Sequence, residues 1–365
     1  MKKRTNHYRL LIFLISSIIA TTSLQPSTIK RKNNKKEIYN ILAHNTTSKT
    51  NIYNLYNIII KDFNIDKEKL INNKLNYLYH NLIKTNNKYY QDYLKTLTGQ
   101  YLSITDIDNT IPQGITCYED YIIFSAYNEN KSLNSYLYII DKNNHLINKV
   151  ELDNNSHVGG IAYDKDNKLL WITIKDKLYG YDINDILTKS KIKKKYETHN
   201  LDNIGNYSFV YYNNKKLYIG NYKFCDNSII KVYTMKKNPK NNNIIFKPET
   251  TLCIPSKTQG IAFLTDNNNE YMILSRSCNI FESSEILIYE YNKDTHNYTN
   301  NYISRIECPP MLEEIAITNN QDLIAIYESC AQKYRDCLIN INHIYYSNIK
   351  KRLIPNKNKA FTLKK

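Results

Sequence analysis

Five stretches of this chain place a polar side chain just ahead of an apolar run. They are Pro112-Gln113-Gly114-Ile115-Thr116, His157-Val158-Gly159-Gly160-Ile161-Ala162, Tyr207-Ser208-Phe209-Val210, Thr258-Gln259-Gly260-Ile261-Ala262 and Leu312-Glu313-Glu314-Ile315-Ala316. Tyr127, Asn221, Arg276 and Glu328 follow four of these stretches at similar offsets. Brought together, two amides, an imidazole, a hydroxyl, carboxylates and a guanidinium would form a polar ring over one end of a fold. An inward carboxylate of Glu313 or Glu314 could serve as a general base or as a cation ligand. Neighbours in a regular strand face opposite ways, so at most one of the two is expected to point inward. Each residue also has a structural use. Gln113 and Gln259 could cap strand backbone, His157 could make a structural hydrogen bond, and Arg276 could pair with Glu328. One His with one or two acids falls short of a convincing metal set. No nucleophile elbow, phosphate loop, dinucleotide fingerprint or zinc spacing of Cys occurs. No cofactor is expected on these grounds.

The elements that would position such residues are strands. From Tyr101 onward the chain reads as short alternating runs broken by Asn, Asp and Lys. The anchors Gly114, Gly160, Phe209, Gly260 and Glu314 recur at 46, 49, 51 and 54 residues. Second strands follow at Tyr121–Ser125, Leu169–Thr173, Lys216–Gly220, Tyr271–Ser275 and Leu323–Tyr327, and aromatic-rich third strands come after them. A four-stranded unit repeated every ~40–50 residues is the blade of a β-propeller. The expected fold is therefore all-β, with five blades; a sixth stays open, because Tyr101–Asp106 could close the ring with C-terminal strands. Glycine at the anchors would let backbones approach one another where the blades converge. The loops leading into the innermost strands and those between second and third strands open on one face. Gln113, His157, Ser208, Gln259, Glu313, Tyr127, Arg276 and Glu328 are the candidate ligand-binding residues there.

The remainder of the chain is organised around this body. Met1–Arg9 is basic, Leu10–Ala20 is apolar, and Thr21-Thr22-Ser23 is small and polar, the pattern of a secretory signal. The apolar run is too short to span a bilayer as a helix, for which ~20 residues are needed. Residues 1–23 are expected to be a signal peptide or a retained N-terminal anchor, 24–51 a polar linker and 52–100 a helical lead-in. Residues 101–350 are expected to be the propeller and 351–365 a basic tail. The formal charge is +16, and removing Lys2, Lys3, Arg4 and Arg9 leaves +12. Basic residues are spread out without an aromatic-interleaved stripe, so no specific nucleic-acid surface is expected. The membrane is expected to be met only through an uncleaved N-terminal segment.

The "PQGIT", "HVGGIA" and "TQGIA" phrases, with Tyr327-Glu328-Ser329, resemble those of secreted bacterial β-propeller proteins without an assigned activity. The resemblance spans roughly residues 105–350. Two enzyme families are more distantly similar. Plant-type glutaminyl cyclases are five-bladed and carry a similar Thr-Gln-Gly lead into a strand. Their Tyr-Glu-Ser-Thr-Gly turn would follow the first such lead, where Ser125-Ala126-Tyr127 stands here. Lactonase-like propellers bind a divalent cation through inward Glu, Asn and Asp; Glu313 or Glu314 and Asn221 match in kind. Two functions are expected. One is an exported, secreted or cell-surface propeller that binds a small molecule or extracellular surface component through its top face. The other is a hydrolase or glutaminyl-cyclase-like enzyme using an inward carboxylate, with or without Ca²⁺.

All seven Cys lie beyond residue 116. Cys225, Cys278 and Cys330 fall a few residues past second strands, while Cys253 and Cys308 precede inner strands. Bridges Cys225–Cys253, Cys278–Cys308 and Cys330–Cys337 are expected, with Cys117 a buried thiol; seven reduced Cys are the alternative. Closing a loop of ~30 residues would stabilise by roughly 3–4 kcal/mol.

Overall fold

A computed structural model describes residues 90–353, apart from 95, 104–109, 142, 144, 200–205, 241, 242, 281, 296, 335–340 and 342. The expected signal, the linker, residues 52–89 of the helical lead-in and the tail from 354 on lie outside the described residues.

A short helix α1 (Gln91–Leu94) leads into strand β1 (Leu97–Ser103), so strand begins a few residues before Tyr101. Blade one is β2 (Thr110–Tyr118), β3 (Tyr121–Asn128), β4 (Tyr136–Ile140) and β5 (Leu146–Glu151). Blade two is β6 (Ile161–Asp164), β7 (Leu169–Ile174), β8 (Lys177–Asp182) and β9 (Tyr196–His199). Its last two strands are joined through helix α2 (Ile183–Thr188), capped by Asp182 accepting from the Asn184 N–H. Blade three is β10 (Phe209–Asn213), β11 (Lys216–Gly220), β12 (Ser228–Lys237) and β13 (Ile244–Ile254). Blade four is β14 (Thr258–Asp266), β15 (Asn269–Arg276) and β16 (Ser284–Asn292), with β17 (Asn297–Tyr298) and β18 (Ser304–Cys308) sharing the outer position. Blade five is β19 (Leu312–Ile317), β20 (Leu323–Tyr327) and β21 (His343–Ser347). Its outermost strand is β1, paired antiparallel to β21. The ring thus closes at five blades: the segment that could have built a sixth completes the fifth.

The core lies between blades, where facing sheets interdigitate. Ile123, Leu137 and Val150 of blade one meet Leu170, Ile172 and Tyr181 of blade two. Ile122, Phe124 and Ile140 pack instead on Ile324, Ile326 and Ile344 of blade five. Successive residues of β3 therefore serve opposite interfaces, as the pleat requires. Trp171, fully buried, donates from Nε1 to Asp164 Oδ2 at 3.1 Å and lies over Gly180, its register partner, where a Cβ would stand 2.7 Å from the ring.

The innermost strands run from a top mouth to a bottom mouth around the axis. They are so close that a Cβ on Gly114 would lie 2.6 Å from the Gly159 carbonyl oxygen. At Gly160 a Cβ would clash with Val210 N and Phe209 Cα. Hydroxyls on second strands stitch neighbouring blades. Ser125 Oγ accepts from the Gly114 N–H at 2.9 Å and donates to Val158 O in blade two at 3.0 Å. Ser275 Oγ donates to Glu313 O in blade five at 2.6 Å.

Three inner strands carry an extra residue at the same height. Register shifts occur between Pro112 and Ile115, between Thr258 and Gly260, and between Leu312 and Ile315. These bulges break the two-residue alternation.

Candidate functional site

At the bulge of β19 both acids are buried, Glu313 at 8% and Glu314 at 3% exposure. Both carboxyls reach the inner-strand ring, at different heights. The expectation that at most one points inward holds only for regular strand, and the bulge overturns it.

Glu313 belongs to the top mouth. Its Oε1 accepts from Gln259 Nε2 at 3.1 Å. Its carboxyl is also hydrogen bonded to that of Glu328, which sits just past the end of β20. Gln113 Nε2 donates to Glu328 Oε1 and, at 2.8 Å, to the carbonyl of Pro112. Tyr334 makes a further hydrogen bond to Glu328, and the Tyr334 and Tyr127 hydroxyls are bonded to each other. Two bulges present the glutamines and a third presents one of the acids. Burial, then repulsion from Glu328, pushes Glu313 well above the ordinary carboxyl value. Burial raises Glu328 as well, opposed by its bonds from Gln113 and Glu313 and by the Lys333 ammonium. Like charges this close cannot both be ionised cheaply, so the pair holds a proton between them, favoured on Glu313.

Around this pair the Tyr127 ring lies 4.9 Å from the His157 ring, and the Lys333 ammonium stands 6.0 Å from the Tyr127 ring centre. Desolvation, then Lys333, lowers the His157 pKa, which keeps the ring neutral near pH 7. The ring stands exposed at the rim. Five of the expected residues, Gln113, Gln259, Glu313, Glu328 and Tyr127, form one hydrogen-bonded group, and His157 flanks it. Three others have structural partners. Ser208 Oγ accepts from the Tyr222 N–H at 2.8 Å, and Asn221 Oδ1 accepts from the Ile229 N–H at 3.2 Å. Arg276 pairs with Glu285 across β15 and β16 and donates to Ser256 O at 2.8 Å. Tyr334 and Lys333 escaped sequence reading because they sit in a long loop without repeat or motif.

Glu314 plugs the channel between the mouths. Its Oε2 accepts from the Ile115 N–H at 2.8 Å and the Ile161 N–H at 3.2 Å, and its carboxyl also bonds the Val210 N–H. One carboxyl from blade five thus ties the inner strands of blades one, two and three. Burial outweighs these bonds and raises its pKa well above the ordinary value. Its other oxygen, Oε1, is buried without a hydrogen-bond partner. Glu314 Oε2 and the paired top carboxyls already face N–H and O–H donors, the reverse of what a divalent cation needs. Among the described residues no group of three or more His, Cys, Asp and Glu is placed to hold a metal ion.

The bottom mouth holds a cavity of about 550 Å³ beneath the plug. Its wall takes residues from all five inner strands, including Thr116, Tyr163, Tyr211, Phe263 and Ala316. None of these was singled out in the sequence as a candidate binding residue.

Among the described residues the expected Cys225–Cys253 and Cys278–Cys308 bridges are not formed: all four side chains are thiols. The blade register that suggested them is right, but the side chains diverge. Cys278 Sγ turns outward to Glu282 Oε2 at 3.0 Å, while Cys308 is fully buried in the sheet. Cys225 and Cys253 are both exposed, and Cys330 Sγ donates to Tyr327 O at 3.2 Å. Cys337 lies outside the described residues. Cys117 is a thiol as expected, half-buried on the cavity wall, and burial pushes its pKa up to about 12.

No protein-family model matches the chain, and no curated protein matches it. Solved structures that are similar include the WD40 propeller domain of Doa1 (10% identity, 70% of this chain, 99% of that one, TM-score 0.35). A protein named as a 6-phosphogluconolactonase from Bacteroides uniformis is similar at 11% identity over 58% of this chain and 62% of that one, with TM-score 0.37. A nidogen/laminin complex is similar at 11% identity over 60% of this chain and 73% of that one, with TM-score 0.35. Likenesses this remote carry nothing about activity. By its own strand pairing, the described part of this chain is a five-bladed β-propeller closed by β1.

Proposed function

We propose that this protein is an exported propeller that binds a ligand or surface partner through its top face, with the Glu313–Glu328 pair as the recognition centre. The observation that carries this reading is the pair itself: two buried carboxyls sharing a hydrogen bond at the channel mouth, each approached by a glutamine amide. Perturbed acids grouped around a shared proton at a channel mouth mark a candidate functional position. The pair offers carboxyl oxygens, so the ligand that suits it brings N–H donors, as an amine or amide does. A cationic amine would displace the shared proton. Its affinity should therefore rise with pH and fall at least tenfold in Glu328→Gln, a change of about 1.4 kcal/mol. Calorimetry with a series of primary amines and amides, in buffers of different ionisation enthalpy, measures both the affinity and the proton released. Affinity independent of pH and of Glu328→Gln would refute the top-face reading. Export is tested separately, by locating the mature chain and its N-terminus after fractionation.

The raised carboxyls support a second reading, in which the pair is a general acid and base. Turnover of lactones, esters or N-terminal glutaminyl peptides, with and without EDTA, and its loss in Glu313→Gln would favour a hydrolase or cyclase. Binding without turnover leaves the first reading ahead.

A further inference from the structure

The bottom cavity differs in chemistry from everything the top mouth would bind. Its rings are Tyr163, Tyr211, Tyr212 and Phe263. Its other groups are mainly neutral and polar: the hydroxyls of Thr116, Thr265 and Thr318 and the amides of Asn213, Asn319 and Gln321. Only Glu119 and Lys165, of opposite sign, bring charge to the wall. The volume, about 550 Å³, falls inside the roughly 300–1,000 Å³ range of small-molecule sites.

The wall is also preorganised. Several first-to-second-strand hairpins on this face turn through non-glycine residues held at positive φ: Glu119 (50°), Asn214 (49°), Lys215 (63°), Asn267 (47°), Asn268 (63°) and Gln321 (65°). Such turns fix the strand ends tightly. Part of the wall is already locked by hydrogen bonds. Thr116 Oγ1 accepts from the Tyr163 N–H at 3.3 Å, Thr318 Oγ1 from the Asp322 N–H at 3.2 Å, and Asn319 Nδ2 donates to Glu119 O at 3.0 Å. Each of these threonine oxygens is thereby oriented, with its own proton available to an incoming acceptor. Tyr211 spans the channel floor, bonded to the backbone of Phe263 and Ile317.

We infer that the bottom mouth is a second binding site, built for a neutral, hydroxyl-rich molecule of mono- or disaccharide size. Aromatic faces suit the apolar C–H faces of a sugar ring, and hydroxyl and amide groups suit its rim of hydroxyls. Glu119 and Lys165 cancel in net charge, so the wall as a whole gives a formally charged ligand no net attraction. The site is independent of the acids at the top, so its occupancy should not depend on them.

The test uses the full chain, with cellobiose, maltose and N,N′-diacetylchitobiose as probes and glucuronate as the charged control. Binding is followed by calorimetry and by NMR shift changes. At least one disaccharide should bind saturably at millimolar concentration or below, and more tightly than glucuronate. Thr265→Arg, at an exposed position on the wall, should weaken it at least tenfold by filling the mouth. Asn213→Ala should weaken it less, and Glu328→Gln at the other mouth should leave it unchanged. The inference is overturned if none of the three disaccharides binds, or if glucuronate binds as tightly. It is equally overturned if Thr265→Arg leaves affinity intact, or if Glu328→Gln abolishes it.

Discussion

The two mouths of the channel are built from the same five strands and differ in nearly everything else. At the bottom, first and second strands meet in tight hairpins such as Asn214-Lys215 and Asn267-Asn268, and the wall between them is neutral. At the top, longer loops such as 129–135 and 221–227 rise between second and third strands, and bulges turn polar side chains into the axis. Blade two is the exception, with only Lys175-Asp176 between β7 and β8, so the rim is low beside His157. The difference teaches where a propeller keeps its rigid and its adjustable surfaces. Hairpins set by local turn chemistry give a fixed cavity, whereas loops and bulges allow titratable groups to be buried together. Glu314 separates the two levels and holds the strands that form both.

That comparison can be broken most directly at Glu314. Glu314→Ala strands three buried N–H donors, at roughly 1–3 kcal/mol each, and should cost about 4 kcal/mol in urea unfolding. Glu314→Gln keeps an acceptor and should cost well under half of that. Equal, small losses for both would mean that the plug does not tie the mouths together.

Next in size is the close approach of blades two and three. Gly160→Ala places a Cβ against the Val210 nitrogen, where only backbone movement makes room. It should destabilise by about 3 kcal/mol. A thermal melt unchanged from the parent would show that the inner ring has slack.

The acids make an unusual pH dependence. Glu313, Glu314 and Glu328 all have folded-state pKa values raised by burial. The stability they contribute as neutral acids is therefore complete below the unfolded carboxyl value of about 4.3 and is lost as pH rises through the raised values. The urea midpoint should decline from pH 5 toward alkaline pH, by up to about 1.4 kcal/mol per pH unit for each group titrating. Glu313→Gln and Glu314→Gln should each flatten the slope, and an unchanged slope in both would remove the acids from the account. Near neutral pH no such dependence should come from the bottom wall, because the raised Cys117 thiol there titrates only at alkaline pH.

The smallest effect belongs to that wall. Lys215→Gly relieves a left-handed lysine at φ 63° but loosens the unfolded chain, so a net gain of about 0.5 kcal/mol is expected. A loss of stability would show that the lysine side chain, rather than the turn, holds the hairpin.

How much was legible beforehand follows the range of each interaction. The blades were readable because each is a local unit whose strands lie within one stretch of ~40–50 residues. Its glycine anchors mark a steric need that recurs with the unit. The top-mouth set was partly readable for the same reason: Gln113, Gln259 and Glu313 hold equivalent places in three of the five repeats. The pairing of Glu313 with Glu328 was not, because it depends on a bulge that resets the alternation of β19. The sulfur pairing failed for a related reason: Cys278 and Cys308 belong to one blade, but side-chain direction is settled by packing and not by loop proximity.

The sequence by itself determined an all-β ring of five repeats and the face on which its acids and amides gather. It could do so because hydrophobic periodicity, turn residues and steric need at the axis are all written within single repeats. Only the tertiary structure decided that both adjacent glutamates enter the ring, that the thiols stay apart, that the first strand completes the last blade, and that a neutral cavity lies beneath the plug. The plug, the closing strand and the cavity each join residues from different blades, and the thiols answer to packing around each sheet, so all are settled only once the blades have packed together.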